Sequence, residues 1–427
     1  MLIQFSVQNY RSIRSKQVLS MVAGRGDEHR EANTAAWDGA GFDALVKTAV
    51  MYGPNAAGKS NFIQALNSMR RIVLTSANDS QRDDDLDVEP YVLSSETLNE
   101  PTEFELMFLH EGVRYQYGFT ATTQHIVDEW LFAFPKGKPQ KWIERTWNFD
   151  SESFDWGKMS SLTGQKQLWI ESTRRNSLFL STAVQLNSKA LQPVFDWISK
   201  YLRTGRVAGF THSYTAKMCL EAEAKLKVLA FMEAADLGIS DIEVEEEEIP
   251  LERHFHESVS EKLKADILSR QKSRSVYEVK LAHESEDGSH VYFDFRDESD
   301  GTRRFFSFIG PWIDTLENGR TIILDELNAS LHPTLVKFLV SVFHNPFYNK
   351  SNAQLIFTTH ETSILSQDVF RRDQVWFFDK KVGIGTELFP LTDFRPRKGR
   401  EDLEASYLSG RYGALPFIAG GAVDEAF

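Results

Sequence analysis

One octapeptide constrains this chain more than any other feature: Gly53-Pro54-Asn55-Ala56-Ala57-Gly58-Lys59-Ser60, which fits G-x-x-x-x-G-K-[ST] at every fixed position. Leu45 to Tyr52 before it is a short apolar run suited to a buried strand. Phe62, Ile63, Leu66, Met69 and Ile72 after it fall at helical spacing. A strand, a glycine-bounded loop and a helix in that order make a phosphate cradle. The glycines let backbone N–H groups close around anionic oxygens, Lys59 sets a cation beside the outermost ones, and Ser60 puts a hydroxyl at the positive helix end, where Mg²⁺ is ligated. All eight residues and the adjoining Asn61 are candidates for nucleotide binding. A chance glycine-rich turn would not require the flanking strand and helix to agree.

Such a site needs a carboxylate for the metal shell and a group to orient water. Thr321-Ile322-Ile323-Leu324-Asp325-Glu326 is an apolar strand ending in two carboxylates. Strand side chains alternate between faces, so Asp325 is expected on Mg²⁺ and Glu326, just past the strand end, on the attacking water as catalytic base. An ordinary acidic cap is the plain alternative. Leu355-Ile356-Phe357-Thr358-Thr359-His360 is a second apolar run, ending in an imidazole able to sense a terminal phosphate and hold the water. A lone histidine at a strand end is more often structural.

Composition limits what surrounds this site. With 427 residues, 41% hydrophobic and 26% charged, the chain can build more than one core. Its net charge of −13 disfavours nonspecific coating of nucleic acid, so any such contact would need a local basic patch: Arg174-Arg175, Arg371-Arg372 or Arg395 to Arg400. The single cysteine, Cys219, excludes an intrachain disulfide framework and fits a reducing, cytoplasmic compartment. Neither a signal peptide nor an apolar run of roughly 18 residues is found, so no membrane association is expected. Glu252, His254 and His256 would share one face of an extended segment, either as a three-ligand metal set or as the polar face of a strand. Glu245 to Glu248 reads as a solvated edge.

The pattern along the chain predicts an α/β fold in three parts. Residues 1–186 form an N-terminal lobe with the phosphate loop and an antiparallel β-meander (Glu103 to His110, Val113 to Thr120, Ile126 to Phe134). Residues 187–270 form a helical insertion, with Leu191 to Leu202 and Ala216 to Leu237 as its best helices, and 271–427 return to the α/β core.

These motifs together resemble the ABC-type ATPase head of the SMC, RecF and OLD group, a P-loop NTPase fold, rather than a Ras-like or AAA+ fold. Asp325-Glu326 is followed by Leu327-Asn328-Ala329-Ser330-Leu331-His332-Pro333 and later by Thr358-Thr359-His360. The resemblance implies that Ser330 lies in the D-loop, that His360 is the switch histidine on the γ-phosphate, and that the ligands are ATP and Mg²⁺. It further implies a signature sequence at a helix start, supplied in trans across a sandwich dimer. Glu298-Ser299-Asp300-Gly301-Thr302-Arg303-Arg304 offers Ser299, Gly301 and Thr302, but departs from LSGGQ in placing Asp300 where many relatives have Gly; a simple N-cap is the rival reading. Asn9-Tyr10-Arg11-Ser12 is similar to the N-F-R-S element whose arginine lies near the nucleotide, with a surface turn as the alternative. Gln185 is the candidate Q-loop glutamine coupled to the Mg²⁺ site.

The tail, Asp402-Leu403-Glu404 and Tyr407 to Pro416, resembles that of AAA-family ATP-binding proteins of the AbiL and RloA type, encoded in bacterial defence and abortive-infection loci. The implied function is an ATPase that forms a homodimer or higher even oligomer on ATP and regulates an effector in anti-phage defence. OLD proteins carry a Toprim nuclease after the head, but residues 361–427 are fewer than the about 100 of a typical domain, so any nuclease is expected to be a separate partner. The alternative is a RecF-like ATP-dependent DNA-binding module. A transporter ATPase subunit is disfavoured by the large insertions and this tail.

Overall fold

The computed structural model describes residues 1–206, 209–250, 273–381 and 383–416. The chain divides into two units, one of Met1–Val207, Leu316–Asn328 and Leu339–Phe427, the other of Ala208–Thr315 and Ala329–Phe338.

The first unit is built on two sheets. Six strands run in the order Leu202–Arg206, Thr321–Asp325, Gln354–Thr358, Thr48–Tyr52, Val375–Lys381, Gly385–Pro390, the first five parallel and the last antiparallel. The segments TAVMY, TIILD and QLIFT are buried at every position, as strands covered on both faces must be. Leu324 pairs with Phe357 and Thr358 with Met51, so this register brings Asp325, Thr358 and the strand feeding Gly53 out at one edge. That edge, at the carboxyl ends of parallel strands, is where α/β sheets bind ligands. The second sheet is the expected meander extended to seven antiparallel strands: Ser153–Trp156, Gln140–Asn148, Ile126–Phe134, Val113–Ala121, Thr102–His110, Leu2–Gln8 and Gln17–Ser20. The helix Lys59–Thr75 joins the two. Phe62 meets Phe5 of the antiparallel sheet at 5.1 Å and Phe378 of the parallel sheet at 5.6 Å, and one core runs through Leu66, Met69, Leu106, Ile323 and Ile356. This is the α/β architecture expected of a P-loop ATPase head.

A polar knot lies inside the parallel sheet. Gln374 Nε2 donates to Thr48 Oγ1 at 2.6 Å, and the threonine hydroxyl is hydrogen-bonded to His344 Nε2 at 2.8 Å. Burial, with Lys47 as the next contributor, lowers the His344 pKa to about 3. Below the ordinary 6.5 the unfolded chain takes up a proton that the folded site refuses. Stability is therefore complete above pH 6.5 and is lost as the pH falls towards 3. Between pH 6.5 and 5 the expected loss is about 2 kcal/mol, read as a shift in urea midpoint that His344→Gln flattens.

The second unit corrects the expectation of a helical insertion over 187–270. The parallel sheet claims Leu202–Arg206, so the first unit continues to Val207. The helix expected over Leu191 to Leu202 is a single α-turn, Gln192–Asp196, followed by a π-helical stretch, Trp197–Tyr201, in which Trp197 stacks on Phe108 at 4.1 Å. The helix expected over Ala216 to Leu237 is two, His212–Cys219 and Ala222–Ala234. Beyond them Ile239–Pro250 pairs with Ser273–Glu284, which pairs with His290–Asp294, in an antiparallel sheet. Glu245 to Glu248 lie on its edge strand and are exposed, the solvated role expected of them. The insertion is half sheet because that pairing joins residues about thirty positions apart, which local periodicity does not register. The boundary expected at 270 also moves, since the second unit holds most of the helix Asp300–Glu317.

Glu252, His254 and His256 lie outside the described residues, and among the described residues no group of three or more His, Cys, Asp or Glu side chains could hold a metal. No described helix is long and apolar enough to cross a membrane.

Candidate functional site

Gly53 to Gly58 link the central strand Thr48–Tyr52 to the helix that starts at Lys59. Two of the glycines are required sterically. A Cβ at Gly53 would collide with the Phe378 carbonyl, and at Gly58, where φ is +107°, it would collide with Thr386 Oγ1. Ala56 is itself left-handed at φ 62°, a conformation that costs a residue with a Cβ about 1–2 kcal/mol. The loop thus holds one shape. At the helix start the N–H groups of Gly58, Lys59 and Ser60 have no acceptor among the described residues.

Lys59 is 7% exposed, and its Nζ donates to Gly53 O at 2.6 Å and Pro54 O at 3.0 Å. Its third ammonium proton has no acceptor among the described residues. Burial lowers its pKa, opposed by the negative charges of Asp325 and Glu326. A buried cation with a spare donor, beside three unpaired backbone N–H groups, fits a phosphate group.

Asp325 is buried at the end of its strand. Its Oδ1 accepts from Thr358 Oγ1 at 2.7 Å, and because that spends the hydroxyl's only proton, Thr358 Oγ1 accepts from the Glu326 N–H at 2.8 Å. Thr359 Oγ1 and the His360 N–H both donate to Asn328 Oδ1, at 3.1 and 3.3 Å. These bonds lace one strand end to the next. Thr358, Thr359 and Asn328 stand inside the motifs read from the sequence but had no role assigned there, although two threonines closing an apolar strand were a visible signal. Glu326 is exposed, with φ 58°. It is therefore a left-handed turn, and not the strand alternation expected, that separates it from Asp325. Partial desolvation and then the Lys59 charge lower the His360 pKa, with Glu326 and Asp325 opposing. Lys59, Asp325, Glu326 and His360 thus lie within one another's fields although 301 residue numbers separate the first from the last. Ser60 and Asp325 offer the hard oxygen donors that Mg²⁺ takes.

A cleft of ≈ 740 Å³ opens on this edge, walled by Gly53 to Ala57, His360 and the tail residues Tyr407 and Leu415. A second, of ≈ 690 Å³, is lined by Arg11, Ser12, Asn61, Glu89 and Val92. Asn9 to Ile13 form a turn, closed by Tyr10 and Ile13 bonding each other's backbones at 2.7 and 2.8 Å, but Asn9, Tyr10 and Ile13 are buried, unlike the surface turn of the alternative reading. The same turn touches the loop helix, since Asn61 Nδ2 donates to Ser12 Oγ at 2.7 Å. Arg11 pairs with Glu89 at 2.6 Å on the wall of the second cleft.

Other candidates lie on other elements. Gln185 closes the helix Phe179–Gln185, where Ser181 Oγ donates to Val73 O at 2.6 Å near the far end of the loop helix. Val73 is fourteen residues from Lys59, about 20 Å along a helix, so the metal-ligand assignment of Gln185 is corrected. In the second unit Ser299 Oγ accepts from the Thr302 N–H at 3.1 Å, so the serine caps its helix, and Ser330 O lies 3.8 Å from where a Gly301 Cβ would stand. Signature and D-loop candidates are thus neighbours. The basic clusters differ: in Arg395 to Arg400 only Lys398 has an ion-pair partner among the described residues, and Arg395, Arg397 and Arg400 are exposed, whereas the other two clusters are tied down. Arg371 is buried on Asp373 and on loop carbonyls, Arg372 pairs with Glu28, Arg175 with Asp83 and Lys398 with Asp27.

A family model described as "AAA domain, putative AbiEii toxin, Type IV TA system" matches residues 49–196 and 221–366. No curated protein matches the sequence. Two solved structures are similar over most of the chain. One, described as the SmcHead bound to the C-winged helix domain of ScpA, has 10% identity and a TM-score of 0.39 and covers 91% of this chain and 96% of its own. The other, an Smc head domain with an extended coiled coil bound to the C-terminal domain of ScpA from Pyrococcus furiosus, has 13% identity and a TM-score of 0.38 and covers 92% and 97%. Likeness at that level does not bear on chemistry.

Proposed function

Since this chain belongs to the AAA-domain family whose model it matches, we propose that it binds Mg-ATP, hydrolyses the γ-phosphate, dimerises on ATP and regulates a separate effector in abortive-infection defence. The observation that carries this reading is the convergence of Lys59, Asp325, Glu326 and His360 beside unpaired N–H groups at a helix start.

Each residue then has a role. The N–H groups of Gly58 to Ser60 and the spare proton of Lys59 bind the β- and γ-phosphate oxygens. Ser60 and Asp325 would hold Mg²⁺, which supplies neutralising charge to those oxygens. Glu326, whose exposed carboxylate has no hydrogen bond among the described residues, takes a proton from the attacking water, and His360 orients that water from the neighbouring strand end. Gly301, Thr302 and Ser330 of a second copy would complete the far side, with Ser299 holding their helix start in shape. The RecF-like DNA-binding alternative would rest on the exposed Arg395, Arg397 and Arg400, and the net charge of −13 disfavours it.

The direct test is Mg-ATP binding by Lys59→Met. Loss of a charged hydrogen-bond donor predicts a Kd raised about 10- to 150-fold by titration calorimetry, with unchanged circular dichroism. Equal affinity would remove Lys59, and the phosphate cradle with it, from the nucleotide site.

A further inference from the structure

Four groups behind the phosphate loop form a hydrogen-bonded chain that no step above uses. Thr386, fully buried in the strand Gly385–Pro390, donates its hydroxyl to Ala57 O at 2.9 Å, and its Oγ1 lies 2.8 Å from Ser12 Oγ. Asn61 Nδ2 donates to the same Ser12 Oγ at 2.7 Å, and the Thr386 N–H donates to Ser12 O at 2.8 Å. The direction of the chain follows from counting protons. A carbonyl only accepts, so the single Thr386 proton is spent on Ala57. Thr386 must then accept from Ser12, and Ser12, its own proton spent, accepts from Asn61. The order Asn61 to Ser12 to Thr386 to Ala57 assigns both hydroxyl protons.

The last link bears on the phosphate site through the geometry of the peptide bond. In a trans peptide the carbonyl oxygen and the next N–H point to opposite sides. Holding Ala57 O on Thr386 therefore aims the Gly58 N–H the other way, away from Thr386 and into the loop. The absence of a Cβ at Gly58, which would collide with Thr386 Oγ1, is what lets the hydroxyl approach. We propose that Thr386 is a positioning residue for nucleotide binding: its hydroxyl, oriented by Ser12 and Asn61, fixes the Ala57–Gly58 peptide so that the Gly58 N–H faces the phosphate. This inference rests on the nucleotide reading of the loop.

The test compares Mg-ATP binding by wild type, Thr386→Val, Thr386→Ser and Ser12→Ala, using calorimetry below the melting transition of each. Thr386→Val keeps the shape and deletes the hydroxyl, so its Kd should rise about tenfold, the cost of one broken and one orphaned hydrogen bond. Thr386→Ser should recover most of the affinity. Ser12→Ala, at a half-buried position that tolerates truncation, should weaken binding less, and the double variant should fall short of the sum because both act on one peptide. A residue that only supports the fold would lower the melting temperature without moving the Kd of the folded protein. Wild-type affinity in both Ser12→Ala and folded Thr386→Val overturns the inference and leaves the nucleotide reading intact. Should Thr386→Val fail to fold, an unchanged Kd in Ser12→Ala overturns it alone. Failure of the wild type to bind Mg-ATP overturns the nucleotide reading and this inference with it.

Discussion

Glu326→Gln is expected to keep Mg-ATP bound while slowing phosphate release by about 10²–10⁴-fold, the usual contribution of a positioned general base. The substitution isolates chemistry from folding. Gln has the same length, the position is exposed, and the left-handed backbone, φ 58°, burdens Gln as it burdens Glu. The N–H bond to Thr358 Oγ1 is made by the backbone and survives. What disappears is a carboxylate able to take a proton from water. Because Glu326 also opposes the lowering of the Lys59 and His360 pKa values, its neutralisation should push both further down. If ATP closes two heads on each other, the slow variant should accumulate as a dimer with ATP and as a monomer without it, by light scattering after size exclusion. Turnover at the wild-type rate would strip Glu326 of its role whatever the oligomeric state.

Glu129→Ala should cost the largest share of stability that any single side chain in the antiparallel sheet carries. Glu129 and Arg145 pair at 2.7 Å with both side chains fully buried. The carboxylate also accepts from Tyr117 Oη at 3.1 Å, the Phe179 N–H at 2.7 Å and the Leu180 N–H at 3.0 Å, so it pins the helix Phe179–Gln185 to the sheet. Arg145 in turn donates to Ser177 O at 2.6 Å and lies 4.0 Å over the Phe154 ring. Burial lowers the Arg145 pKa, with Glu129 as the opposing charge that keeps the guanidinium tolerable. Deleting the carboxylate leaves a buried cation and three donors without partners, a loss of about 3–5 kcal/mol. Urea unfolding reads it directly. Glu129→Gln, which keeps an acceptor but no charge, should fall between the two. A loss under about 1 kcal/mol for Glu129→Ala would mean that water or a shifted acceptor replaces the carboxylate.

Most of the candidate site was legible because its parts are local words. Gly53 to Ser60, Asp325-Glu326 and His360 each follow an apolar strand, and a buried strand advertises itself by composition over five residues. The insertion was not legible in the same way. Its strands Ile239–Pro250 and Ser273–Glu284 find each other across a long gap, and the acidic run within the first carries no strand signature of its own. Gln185 was misjudged for a related reason: its helix is placed by Ser181 on Val73 and by Glu129 at its start, neither of which is near in sequence.

By itself the sequence determined which chemical groups this protein carries and that several of them stand at the ends of buried strands, because those are properties of short segments. Only the tertiary structure decided that the strands emerge side by side, through the register of Thr358 with Met51 and Leu324 with Phe357. It also decided that Glu326 leaves its strand by a left-handed turn and that Thr386, 329 residues beyond Ala57, holds the loop from behind. Hydrogen bonds and fields act over a few ångströms of space, and how far apart two residues lie along the chain does not fix that distance.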